Sequence, residues 1–248
     1  MCTRFYIETN QSDALQSTLK SVQRSSLTAF MQEQLGRNVI TYGEVRPTDI
    51  AIVIASNKNG VRAVFPMIWG FTAPFRPTSH HQEHPEKTSK GRSGILVNCR
   101  VETASKKPLW KDSWAKRRCI IPASCYFEWG PPATDQKLLS TLKSADGRTD
   151  ESGDRKIKGK TESKIKYAIR PKDEAITYLA GLYRIENGYP HFAVLTREPG
   201  EDIRLIHDRM PVILKQDSID AWINPYSQIR IIDEIAQTSL TGMDYQSL

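Results

Sequence analysis

Apolar and polar positions along this 248-residue chain follow two different rhythms. "TRFYIE" and "DIAIVIAS" are short and rich in β-branched and aromatic residues, and they read as strands. Between them, "SDALQSTLKSVQR" and "SLTAFMQEQLG" repeat their apolar residues at helical spacing. This predicts two helices, the first with Ser12 as N-cap and the second closed by Gly36. The β pattern resumes in "RAVFPMIWGF", "GILVNCRVET", "RCIIPASCYFEW", "KYAIRP", "AITYLAGLYRI" and "HFAVLT", while "KKPLWKDSWAKR" and "DSIDAWINP" predict short helices. Strands joined by short connections rarely form parallel βαβ units. The pattern therefore predicts an α+β fold: a single domain over residues 1–248 with a strongly curved, mostly antiparallel sheet, open and barrel-like, flanked by helices.

Two stretches break both rhythms. Residues 76–93, "RPTSHHQEHPEKTSKGRS", and about 131–165 are polar, charged and poor in aromatics, which predicts surface insertions. Within the second, "DQKLLSTLKS" carries enough helical pattern for a turn or more. His80, His81 and His84 lack accompanying acidic or cysteine ligands, so a solvated loop accounts for them better than a metal site.

Composition adds three bounds. At 39% hydrophobic residues the chain can bury one sizeable core. Its 35 basic against 28 acidic residues, a formal charge of +7, point to an anionic partner without identifying it. The four cysteines, Cys2, Cys99, Cys119 and Cys125, show no C-x-x-C or Cys/His metal spacing, and no cleavable apolar leader or membrane-length span is present. A reduced cytoplasmic compartment, with no metal and no membrane, is the expectation.

Candidate chemistry starts at "MCTRF". Cys2 is small enough for Met1 to be removed, which would leave an α-amine beside its own thiol, a 1,2-aminothiol. For a lone cysteine, the commoner reading is a small apolar residue that starts a strand. In "GILVNCRVET", period two puts Ile95, Val97, Cys99 and Val101 on one face and Asn98, Arg100 and Glu102 on the other. In "CYFEWG", Glu128 lies between Phe127 and Trp129, where desolvation would raise its pKa toward neutrality. "LIHDRMPVIL" sets His207 and Arg209 just ahead of an apolar strand, a position that suits an active-site residue and a polar turn equally.

"MCTRF", "IWGF", "NCRVET", "RRCIIPASCYFEW", "AGLYR", "FAVLT" and "IHDRMPVIL", in this order, resemble the SOS response-associated peptidase (SRAP) family from Cys2 to about Leu214. Thr3 stands where the family usually has glycine and Cys99 where it usually has alanine, and the insertion after Trp129 is longer than is typical. The resemblance implies a monomer without cofactor that shields abasic sites in single-stranded DNA during replication and the DNA damage response. Its location would be the cytoplasm, on the nucleoid when bound to DNA. The bond would be a thiazolidine. The Cys2 amine, with a reference pKa of about 8, forms a Schiff base with the ring-opened sugar aldehyde, and the thiol of the same residue closes the ring with intramolecular advantage. Lyase and thiol autopeptidase activity are compatible with the same site.

By the same resemblance, His207 would assist sugar ring opening, Glu128 would move protons, and Asn98 would hold the cysteine amine or the opened sugar. Arg4, Arg100 and Arg209 would clamp phosphates, with Glu102 orienting Arg100. Trp69 and Trp129 would stack on the bases flanking the lesion or sit in the core. Two other functions fit parts of the pattern: an N-terminal-nucleophile peptidase or amidohydrolase, and a noncovalent reader of single strands. Replacing Cys2 separates the reader from the covalent mechanisms.

Overall fold

The computed structural model of the protein describes residues 2–8, 13–73, 94–132 and 164–248. Strand β1 (Phe5–Ile7) precedes helices α1 (Asp13–Gln23) and α2 (Ser26–Leu35) and strands β2 (Val39–Ile40), β3 (Gly43–Val45), β4 (Ile50–Ser56), β5 (Arg62–Trp69) and β6 (Phe71–Thr72). Then come β7 (Ile95–Leu96), β8 (Asn98–Arg100), α3 (Val101–Ala104), α4 (Pro108–Lys116), β9 (Arg118–Ala123) and β10 (Cys125–Gly130). The last part holds β11 (Ile165–Pro171), β12 (Thr177–Glu186), β13 (Tyr189–Arg197), β14 (Met210–Pro211), α5 (Ile219–Ile223), α6 (Ile229–Gln237) and β15 (Met243–Ser247).

The curved sheet closes. Strands β12, β9, β4, β5 and β13 pair in that order, and β13 pairs back with β12, so five strands form a barrel. Pairing is antiparallel except where β13 meets β5 and β8, and β2 meets β4. β4, with the sequence IAIVIAS, is buried at every position but its last, because one face looks into the barrel and the other lies under helices. Helices α1 and α2 pack on β5, and α5 packs on β4 and β9. A strand covered on both faces needs a continuous apolar run rather than an alternating one, and β4 has it. Helix α2 ends at Gly36 in the left-handed region (φ 62°), whose N–H caps the Gln32 carbonyl, as helix-stop chemistry requires.

A second sheet has the order β15, β11, β10, β1, β3, all antiparallel. It shares chain with the barrel at a corner. Residues 118–130 run almost without interruption, but at Ser124 the chain leaves β9 in the barrel and enters β10 in the second sheet. Ser124 fixes the corner by donating its N–H to the Tyr6 carbonyl and accepting from the Glu8 N–H through Oγ, both at 2.8 Å. β1 thereby lies in the sheet interior, between β10 and β3.

The predicted strand through "GILVNCRVET" stops at Arg100, and Val101–Ala104 is helical. The two predicted insertions lie largely outside the described residues, as do Ser12, the "DQKLLSTLKS" turn and His80, His81 and His84; Ile165 already belongs to β11.

Candidate active site

Because β1 runs inside the second sheet, the residues before it are held against β10. Phe5 pairs with Tyr126, and the Phe127 N–H donates to the Arg4 carbonyl at 2.9 Å. Cys2 is fully buried. Its thiol lies 3.6 Å from the Arg4 carbonyl, and its own carbonyl accepts a 2.8 Å hydrogen bond from the Asn98 amide on β8. Asn98 reaches it because β8 is held in parallel register with β13. The other amide atom, Asn98 Oδ1, is buried and has no hydrogen-bond partner among the described residues.

Glu128 and Tyr126 are two apart on β10 and so face the same side, toward Cys2. Glu128 is 3% exposed, and burial pushes its carboxyl up to about 7. Burial, and next the Glu128 charge, raise the Cys2 thiol above the ordinary thiol range, so it rests protonated. The Tyr126 phenol is raised by burial and by the Cys2 and Glu128 charges. Its hydroxyl has no hydrogen-bond partner among the described residues.

His207 comes from the segment before β14. Its Nε2 lies 3.7 Å from Glu128 Oε2, and burial lowers its pKa. The approach depends on Gly130, two residues beyond Glu128: a Cβ there would meet the Ile206 carbonyl oxygen at 2.7 Å and the Ile206 Cα at 2.9 Å. Close approach of two backbones therefore sets His207 over Glu128.

The structure thus brings Cys2, Asn98, Glu128 and His207 together, whereas the predicted DNA contacts separate into classes. Arg100 is exposed. Arg4 is partly exposed and pairs with Glu44, which also binds Arg46 and Lys166. Arg209 is 7% exposed: its fork bonds both Glu102 oxygens at 2.9 Å and the Thr196 carbonyl at 2.7 Å. Glu102 therefore anchors Arg209 rather than Arg100. Burial pushes the Glu102 carboxyl up, but the Arg209 fork outweighs this and holds it below its usual value.

Trp69 is a core residue. It has no exposed surface, lies between the rings of Phe5 (5.1 Å) and Phe192 (5.9 Å), and donates its indole N–H to the Val97 carbonyl. Trp129 is half-buried on the opposite face of β10 from Glu128, with Lys166 Nζ 5.8 Å from its ring. Sequence reasoning passed over Tyr126, although the alternation that places Glu128 places it too. It also passed over Glu44 and Asp208, which no local pattern marks.

Among the described residues, no group of three or more His, Cys, Asp or Glu side chains could hold a metal ion. No helix among them is long and apolar enough to cross a membrane.

A family model described as SOS response associated peptidase (SRAP) matches residues 1–245. The abasic site processing protein YoaM of Bacillus subtilis is 34% identical over 135 residues, which is 52% of this chain and 48% of that protein. An abasic site processing protein of Saccharomyces cerevisiae is 25% identical over 184 residues, covering 73% of this chain and 39% of the yeast protein. The chain spans about half the length of the curated Bacillus relatives it matches. Among solved structures, a Bacteroides thetaiotaomicron protein superposes with a TM-score of 0.62 at 23% identity, covering 100% of this chain and 92% of that one. A phage-related protein of Bordetella bronchiseptica gives 0.58 at 17% identity, covering 100% and 94%. These two likenesses are of fold.

Proposed function

Since the chain belongs to the SOS response associated peptidase (SRAP) family, we propose that it captures abasic sites in single-stranded DNA as a thiazolidine on Cys2, once Met1 is removed. One observation carries this reading: Cys2 is buried with its carbonyl fixed by Asn98, within reach of the charge of a carboxyl that titrates near neutrality, Glu128.

A thiol with a raised pKa is a poor first nucleophile, whereas an α-amine with a reference pKa of about 8 is partly neutral at physiological pH. The Glu128 carboxylate takes the proton of the Cys2 ammonium, and the neutral amine therefore adds first to the ring-opened aldehyde. Protonated Glu128 gives its proton to the departing hydroxyl, water leaves, and an iminium remains. The Glu128 carboxylate then takes the Sγ proton as sulfur adds to the iminium carbon, which closes the ring. Starting from the ammonium form of Cys2, the sum is one water and one proton released. His207, at 3.7 Å from Glu128, is placed to assist opening of the sugar hemiacetal. Exposed Arg100 contacts phosphate, and Trp129 supports a flanking base.

A thiol peptidase would need a low-pKa thiolate, and burial works against one here. The test is incubation of untagged protein with an abasic single-stranded oligonucleotide, followed by denaturing electrophoresis and intact mass. The wild type is expected to form a heat-stable adduct, and Cys2→Ala none. A heat-stable adduct with Cys2→Ala, or with protein carrying an uncleaved N-terminal extension, would overturn the reading.

A further inference from the structure

Two groups contend for one nitrogen of His207. Asp208 Oδ1 lies 2.7 Å from Nδ1, and the backbone N–H of Arg209 lies 3.0 Å from the same Nδ1. The first contact needs a proton on Nδ1, and the second needs a lone pair there. On the other side of the ring, Nε2 faces Glu128 at 3.7 Å. Each tautomer therefore has its own set of partners. With Nδ1 accepting from Arg209, Nε2–H faces an ionised Glu128. With Nδ1–H directed at Asp208, the Nε2 lone pair faces a protonated Glu128.

We infer that Asp208 is a positioning residue that selects the tautomer of His207 and receives its proton, connecting buried Glu128 to solvent. The inference rests on the proposed function. Thiazolidine formation from the ammonium form of Cys2 releases one proton, which Glu128 collects at the reacting atoms. Asp208 is 84% exposed on its side chain, while Glu128 is 4% exposed, so His207 spans the boundary between interior and water. In one relay step the Glu128 O–H bond breaks as Nε2–H forms, and the Nδ1–H bond breaks as the proton passes to the Asp208 carboxylate and on to water. Among the described residues, the groups facing the imidazole are Glu128 from β10, Asp208 and Arg209 from its own segment, and Lys164 ahead of β11.

The experiment compares wild type, Asp208→Asn and Asp208→Glu for adduct formation with abasic single-stranded DNA across pH, at low and high imidazole concentration, together with the ¹⁵N shifts of the His207 ring. Asp208→Asn is expected to melt like the wild type and to lose roughly two- to fivefold in rate at low buffer, the size an exposed ion pair supports. Imidazole or Asp208→Glu should restore that rate, and the His207 ring should shift toward the Nε2–H tautomer in Asp208→Asn. An Asp208→Asn protein with wild-type rate and tautomer would overturn the relay and leave the proposed function standing. A loss that neither imidazole nor Asp208→Glu restores would overturn it too, since that loss would be structural. No adduct from the wild type would overturn the function and the relay with it.

Discussion

Asn98 and Cys2, 96 residues apart in sequence, are joined by one hydrogen bond of 2.8 Å from the side-chain amide to the backbone carbonyl. The bond uses neither the nitrogen nor the thiol of Cys2, whose Sγ is directed at the Arg4 carbonyl, and it fixes the carbonyl of the residue that carries both. Asn98→Ala is expected to cost about 1 kcal/mol of stability. It should slow crosslinking much more, because misplacement by about 1 Å costs roughly 10²-fold. Thermal melting and single-turnover adduct kinetics on the same protein check the split; equal small losses in both would assign Asn98 to structure alone.

Glu128 links stability to pH. Its folded pKa, about 7, lies above its ordinary 4.5, so the native state binds the extra proton between those values. Stability is fully present below about 4.5 and is lost as pH rises through 7. Glu128→Gln should therefore be more stable than wild type above neutrality by about 3 kcal/mol, with the gap closing as pH falls toward 4.5. The same variant should crosslink roughly 10²- to 10⁴-fold more slowly. Denaturant melts at several pH values and a rate–pH profile measure both.

Arg100 and Arg209 should separate in assay. Exposed Arg100, changed to alanine, is expected to weaken single-strand binding and lower its salt slope by about 1 without changing the melting temperature. Glu102→Ala leaves Arg209 buried and without its carboxylate, and should cost about 1–3 kcal/mol, less than a fully enclosed pair because Glu102 is 45% exposed. Salt titrations beside thermal melts decide; a normal melt for Glu102→Ala would contradict the anchoring role.

Gly130→Ala places a methyl group within 3 Å of the Ile206 backbone. Overpacking of this kind costs about 1–3 kcal/mol. Here the strain falls on the segment that presents His207, so crosslinking should drop while DNA affinity holds. Binding and crosslinking measured on one preparation, with a melt to subtract the stability effect, give the answer.

The legible parts of the fold were those in which local pattern and tertiary burial agree. The uninterrupted apolar run of β4 and the Gly36 stop of α2 are both of this kind. "GILVNCRVET" misled because Val101 has strand propensity, while the chain turns helical immediately after Arg100, so period two no longer places Glu102. The apolar repeat of α6 at Ile229, Ile232 and Ile235 was readable but unused, and β15 is mostly exposed, held by backbone pairing to β11. Cys2, Asn98, Glu128 and His207 stand out in sequence because their residue types suit the expected chemistry, and the structure brings them together. The Glu102 pairing of Arg209 is not legible in sequence, because its charge fits a phosphate and a carboxylate equally and the carboxylate lies 107 residues away. The sequence leaves Trp69 open between a base and the core, since an indole in an apolar run does not reveal which face it occupies, and the structure puts it in the core.

The burial of Cys2 also dictates a schedule for synthesis. The proposed chemistry needs its amine uncovered, and an aminopeptidase must hold the chain end extended to act. Once β1 has inserted between β3 and β10, Cys2 has no surface left to offer. β10 emerges from the ribosome more than a hundred residues after Cys2, roughly 5–25 s later at common rates of translation. Until then β1 has only β3 to pair with, and a two-stranded unit is marginal in water. On the proposed function, the nascent chain keeps its leading residues open for seconds and then seals them, so that the removal of Met1 which that function requires has to precede the pairing of β1 with β10.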